Sequence, residues 1–191
     1  MSLILDILVG QENPTVYSKM KFQKIIEYHK NEKTSPIDGD EERIIKGALT
    51  FSDKKVKEIM TPKSKIFALE KEDKLSTKLI QKIKNTGFSR VPIYSSKFDN
   101  MIDVLLVKNL VGYEINNQKI SSFCRGNIYT INENCLLDSV LNKFLNTRSH
   151  LFIVHNQSRQ VIGLVTIEDV LEEILKKEIV DETDRGEFKR E

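Results

Sequence analysis

The chain has 191 residues, enough to bury a sizeable core as one domain or two small ones. Its 39% apolar and 30% charged side chains exclude a disordered chain, and no apolar run reaches bilayer length. A net charge of +2 argues against a nucleic-acid binder, and the isolated Cys124 and Cys135 argue against a zinc site or disulfide framework and for a reducing, cytosolic setting.

From the start, apolar spacing predicts two helical pieces, Ile4 to Val9 closed by Gly10 and a longer one from Val16 to Tyr28 with Met20, Ile25 and Ile26 set among lysines. Those lysines suit a solvated face, or an anionic lipid surface if the segment lies beneath a membrane. Asn31 to Asp40 reads as a polar linker, Glu41 to Leu49 as a helix, and Lys54 to Met60 as a short helix that Pro62 ends.

Two similar passages follow. The first runs Ile66–Leu69, a helix from Leu75 to Lys84, a strand over Arg90–Tyr94, then Val104 to Val111; the second runs Ile128–Ile131, a helix from Leu136 to Leu145, a strand over His150–His155, then Leu164 to Leu171. Leu75 falls on Leu136, Asn85 on Asn146 and Ile93 on Val154 at one constant offset, and the last strand and helix match one residue short of it. This is an internal duplication. Each half is a β-α-β-β-α unit too small to stand comfortably alone, so the expected fold is α+β, with two units packed sheet to sheet about a pseudo-twofold and leaving two clefts between them. The expected boundaries are an N-terminal helical segment and linker at 1–55, repeats at 56–116 and 117–184, and a tail at 185–191.

The stretch Gly163 to Ile174 carries the most chemistry. Gly163, Leu164 and Val165 form a close-packed strand that turns into a helix behind Thr166, with Asp169 at the spacing of a capping box. A helix N-terminus offers backbone donors to a phosphate, a hydroxyl can donate to one, and a carboxylate can accept from both ribose hydroxyls. The same two side chains serve equally to cap the helix. In the first repeat the matching positions hold Asp103, Leu106 and Asn109, so one cleft has lost its hydroxyl and its carboxylate and a single nucleotide site is expected.

The duplication with Gly163-x-x-Thr166-x-x-Asp169 in its second unit resembles a tandem pair of cystathionine-β-synthase (CBS) domains, a Bateman module. More narrowly, the chain is similar to the soluble part of the cyclin M (CNNM) and CorC family linked to magnesium transport, through Leu8-Val-Gly-Gln-Glu12, Gly47-Ala-Leu49, Val56 to Pro62, Gly87 to Tyr94, Val104 to Leu110, Ser149 to Leu151, Gly163 to Ile174 and Glu178 to Asp184. The Gly-Gln-Glu start and the Asp-Glu-Thr-Asp ending place it nearer the eukaryotic side.

The resemblance implies that Thr61, Phe88, Ser89, Arg90, Pro92, Val165, Thr166 and Asp169 surround an adenine nucleotide, with Phe88 flanking the base and Arg90 the phosphates. Taken singly, Phe88 serves as core, Arg90 as a surface ion-pair partner, Ser89 as a turn residue and Thr61 as a cap. The resemblance further implies ATP with Mg²⁺ held through its phosphates, a homodimer, and regulation of a membrane transport domain of the same parent protein from the cytoplasmic side. Relatives dock phosphatases of regenerating liver through an extended loop in the second repeat; here Asn156–Gln160 is short, which argues against that partner. No nucleophile-base pair or paired acid and base suggests an enzyme. A dimerisation or docking module with incidental nucleotide binding is the alternative.

Overall fold

The structure of the chain, a computed structural model, describes residues 18–30, 37–112, 117–124 and 128–179. The expected helix at Ile4–Val9, the motif at Leu8–Glu12, the linker from Asn31 to Pro36, the ending from Val180 to Asp184 and the tail at 185–191 lie outside the described residues. The chain divides into two compact units, Met1–Leu49 and Thr50–Glu191.

In the first unit, helix α1 spans Lys19–Lys30 and helix α2 spans Gly39–Thr50. The linker reading had α2 begin at Glu41; it begins earlier because Asp38 caps it. Asp38 Oδ1 accepts from the N–H groups of Asp40 and Glu41 at 2.8 Å each, and Glu41 Oε2 accepts in return from the Asp38 N–H at 3.0 Å. Arg43–Asp40 and Lys46–Glu42 ion pairs then run along α2.

In the second unit the strands and helices follow as β1 (Thr61–Pro62), β2 (Leu69–Glu70), α3 (Thr77–Thr86), β3 (Arg90–Ser95), β4 (Lys97–Leu106), β5 (Tyr129–Asn132), α4 (Leu137–Thr147), β6 (Leu151–His155), β7 (Val161–Thr166) and α5 (Ile167–Leu175). They form a three-stranded sheet in the order β2-β3-β4 and a four-stranded sheet in the order β1-β7-β6-β5. The expected α+β duplication is present down to its ladders. Arg90↔Leu106, Val91↔Leu105, Pro92↔Val104 and Ile93↔Asp103 repeat as Leu151↔Thr166, Phe152↔Val165, Ile153↔Leu164 and Val154↔Gly163, and both ladders shift register immediately after Ile93 and Val154.

Alternation along the strands sorts their side chains into two layers. In the second repeat Phe152, Val154 and Val165 join Ile131, Leu137, Val140, Phe144 and Val170 beneath the helices, where the rings of Phe144 and Phe152 lie parallel at 4.0 Å between centroids. In the first, Val91, Ile93 and Leu105 join Leu69, Leu75 and Ile83. The opposite faces meet: Leu151, Ile153 and Val161 pack with Phe98, Met101 and Val104 of β4, so the two sheets are joined through a shared apolar layer.

Two short 3-10 turns cross between the repeats. Val56, in the turn Val56–Glu58 that stands where a short α-helix was expected, is wholly buried in the second repeat's core, and its N–H donates to Cys135 O at 2.9 Å. Ile120, in the turn Ile120–Phe123, is wholly buried in the first repeat's core, and its N–H donates to Asp73 O at 2.8 Å. By chain order each turn leads into one repeat. In space it completes the core of the other.

Among the described residues β1 gives the second sheet a fourth strand that has no counterpart in the first. The repeats also differ after β4, where the chain makes a 3-10 segment, Val107–Leu110, in the place of α5. Its N-cap, Leu106, has no side-chain oxygen to accept the N–H groups that Thr166 and Asp169 satisfy in α5, and Gly112, at φ 83°, follows in the left-handed region.

Candidate functional site

At the end of β7 the chain leaves the sheet and enters α5 through a closed set of bonds. Asp169 Oδ2 accepts from the Thr166 N–H at 2.7 Å and from the Thr166 hydroxyl at 2.8 Å, while Thr166 Oγ1 accepts from the Asp169 N–H at 3.2 Å. Asp169 is only 3% exposed, so a carboxylate is held out of solvent at the positive end of a helix. That placement offsets part of the cost of burying its charge. A carboxylate has about four lone-pair positions, so Asp169 can hold the cap and still accept from a ligand's hydroxyl.

The path of the neighbouring strand depends on Gly163. A methyl group there would stand 2.6 Å from Thr61 O and 2.7 Å from Met60 Sδ, closer than any real side-chain contact. Because residue 163 has no side chain, β1 can lie against β7 with Thr61 opposite Leu164 and Pro62 opposite Gly163. Thr61, Val165, Thr166 and Asp169 are thereby gathered at one end of the four-stranded sheet. At the matching position of the first repeat stands Asp103, itself buried. It lies beside Cys124, whose thiol is pushed above its ordinary range by burial first and then by the Asp103 carboxylate.

Arg90 and Pro92 belong to β3 of the other sheet, and Phe88 and Ser89 lie in the turn just before it. Gly87, in the left-handed region at φ 69°, ends α3 and turns the chain into them. Phe88 is 46% exposed, not core, and Ser89 O accepts from the Val107 N–H at 3.0 Å, which ties this turn to the end of β4. Arg90 and Pro92 share one face of β3, and their register equivalents on β6, Leu151 and Ile153, line the layer between the sheets. Arg90 is half-buried at the rim of that layer.

Charged groups beside Asp169 escaped the sequence reading. Ile59, Asp169, Glu172, Glu173, Lys176, Lys177 and Glu178 line a shallow depression along α5. Of its lining residues, Glu173 accepts through Oε2 from Lys54 Nζ at 3.0 Å and also pairs with Lys176. The spacing from Asp169 through Glu173 to Lys176 was the available signal, since steps of three and four share a helix face. At the mouth of α5, His150 Nδ1 lies 3.9 Å from Glu168, both about half exposed.

The loop Asn156–Gln160 is as short as expected and closed on itself: Asn156 N–H donates to Gln160 O, and Gln160 N–H donates to Asn156 Oδ1, each at 3.0 Å. No group of three or more His, Cys, Asp or Glu side chains among the described residues could hold a metal ion. No described helix is long and apolar enough to cross a membrane.

Two β-α-β-β units with matched ladders, joined face to face and carrying one capped Thr-x-x-Asp junction, define a CBS pair. A family model described as CBS domain matches residues 120–176. Protein MAM3 of Saccharomyces cerevisiae is 33% identical over 189 residues, covering 96% of this chain. The CBS domain of a bacterial CNNM/CorC family Mg²⁺ transporter superposes with a TM-score of 0.75 at 30% identity, covering 87% of this chain and 100% of that one. Such a domain in complex with ATP superposes with a TM-score of 0.66 at 31% identity, over 72% of this chain and 98% of that one. The chain belongs to the CBS domains of the CNNM/CorC family of Mg²⁺ transporters. It spans 27% of the length of the yeast relative.

Proposed function

We propose that the chain is a regulatory module that binds ATP with Mg²⁺ and controls a magnesium-transporting membrane domain of the same parent protein, from the cytoplasmic side. The observation that carries this is the buried Asp169 bonded to Thr166 at the strand-to-helix junction, in a chain whose relative is solved with ATP. In this reading Asp169 accepts from the ribose hydroxyls, Thr166 and the first N–H groups of α5 face phosphate, and Thr61, Val165 and Pro92 line the pocket. Phe88 flanks the base, Ser89 lies beside it, and Arg90 reaches the phosphates. Mg²⁺ would be held through the nucleotide's phosphates and not by side chains of this chain, and would offset phosphate charge that Arg90 alone leaves unmatched.

Regulation follows from differential affinity. A homodimer of modules with two arrangements shifts toward the one that binds nucleotide more tightly, and the N-terminal helices pass that shape onward. The module binds and does not catalyse. The repeats are assigned to 56–116 and 117–184, nucleic acid is not a partner, and the short Asn156–Gln160 loop argues against a regenerating-liver phosphatase.

Isothermal titration with ATP, with and without millimolar Mg²⁺, tests the proposal. It expects about one ATP per chain, tighter with Mg²⁺, and no binding by an Asp169→Ala variant that remains folded by circular dichroism. The mutual engagement of Thr166 and Asp169 favours a second reading, in which they only cap α5 and the module dimerises or docks a partner. Absence of heat under both conditions would refute the nucleotide site and leave that reading in its place.

A further inference from the structure

Helix α1 shows an unusual distribution of side chains. Met20 and Tyr28 are each 67% exposed and Ile25 is 40% exposed, although all three are large and apolar. Met20, Lys24 and Tyr28 follow one another at intervals of four and so form one stripe, flanked by Lys21 and Ile25. Ile26, at 9% exposed, marks the opposite side of the helix. The one acid of α1, Glu27, stands at the edge of this stripe, three residues after Lys24, where its charge is shared with Lys46 of α2. The outward stripe is therefore basic and apolar at once.

We infer that this face of α1 lies against an anionic lipid surface, with Met20, Ile25 and Tyr28 entering the headgroup layer and Lys21 and Lys24 meeting its phosphates. The order of the residues decides the occupant. An apolar protein groove that took Met20 and Tyr28 would also bury the ammonium of Lys24 between them, at a cost that only a matched carboxylate would offset. A second copy of the same face would bring like charges together. A headgroup layer accepts both kinds of group, because lysine stems lie along apolar surface while their ammoniums stay among phosphates, and tyrosine sits well at that depth. A helix this short binds weakly by itself, so the contact acts on a module already held near its membrane. The inference thus rests on the proposed membrane-proximal role, but not on nucleotide binding.

Co-sedimentation of the whole chain with vesicles tests it. Binding is expected to vesicles of phosphatidylcholine with 30% phosphatidylserine and not to phosphatidylcholine alone. It should weaken in 0.5 M NaCl, where screening shortens the reach of charge. Replacing Lys21 and Lys24 together by Gln should lower partitioning on the order of thirtyfold, given the worth of each lysine near an anionic surface. Met20→Ser with Tyr28→Ser should lower it too. Equal binding to both lipids, or unchanged binding by the Gln pair, overturns the inference; so does a loss of self-association in the Gln pair with lipid binding unmoved. Both variants should keep native helicity and ATP affinity, which separates this outcome from failure of the nucleotide site.

Discussion

Replacing Gly163 by Ala adds one methyl group at the closest approach in the site. The new carbon would lie 2.6 Å from a backbone oxygen, Thr61 O, and 2.7 Å from Met60 Sδ. Met60 can rotate aside, but Thr61 O belongs to a paired strand and moves only if β1 moves. Overpacking of this kind costs about 1–3 kcal/mol. For a domain of this size that lowers Tm by roughly 2–12 °C, at about 2–4 °C per kcal/mol. Because Thr61 shifts with β1, ATP affinity should fall while the helix content of the folded protein stays native. Gly39→Ala is the matched control: nothing lies within 4 Å of its added carbon, at the first residue of α2. It should leave Tm unchanged or slightly raised. Calorimetric melting and ATP titration of both variants decide the matter. A Gly163→Ala protein that melts within 1 °C of the parent and binds ATP equally well would refute the claim that glycine is needed for the seating of β1.

Other expectations follow from the same geometry. Thr166→Ala should cost about 1 kcal/mol in urea unfolding through loss of the cap and abolish ATP binding, and Thr166→Ser should restore both. Ile120→Ala should destabilise by about 2–5 kcal/mol, and the amides it exposes to hydrogen exchange should include those of β3 and α3 in the first repeat, whose core it completes. Burial pushes the Glu173 carboxyl upward, but hydrogen bonds from Lys176 and Lys54 more than reverse this and hold it below the ordinary value. A lowered folded value means that this contribution is fully present above the unfolded pKa of about 4.3 and is lost as pH falls through the folded one. Urea midpoints at pH 7 and pH 3 should therefore differ more in the parent than in Glu173→Gln, and an equal drop in both would count against the pairing.

The duplication was legible because matching apolar positions recur at one offset, one residue shorter for the last strand, and the ladders reproduce that match residue by residue. The Thr166 and Asp169 junction was legible for a local reason: a capping box lies within four residues and needs no distant partner. The crossing of Val56 and Ile120 into opposite cores was not. Apolar spacing in a three- or four-residue turn says that a side chain is buried, not which of two similar cores receives it. The contraction after β4 was half visible. Leu106 and Asn109 mark the loss of a ligand site, yet the same residues also lack the cap, and with it the helix. The role of Gly163 needed coordinates, since the approach of β1 comes from more than a hundred residues earlier in the chain. The spacing along α5 shows which charges share its face, but the pairing of Glu173 with Lys54 was hidden because Lys54 comes from outside the repeat that carries Glu173.

The exchange of Val56 and Ile120 also governs the order in which the polypeptide can settle as it is made. Synthesis proceeds from the N-terminus at roughly 5–20 residues per second. The first repeat cannot close its core until Ile120 has emerged, and Val56, delivered early, has no home until β6, β7 and α5 follow. Such distant pairings slow the search for the native state. The nascent chain therefore exposes an unfilled half-core until nearly the whole CBS pair is available, and the two halves acquire their final form together, not in succession.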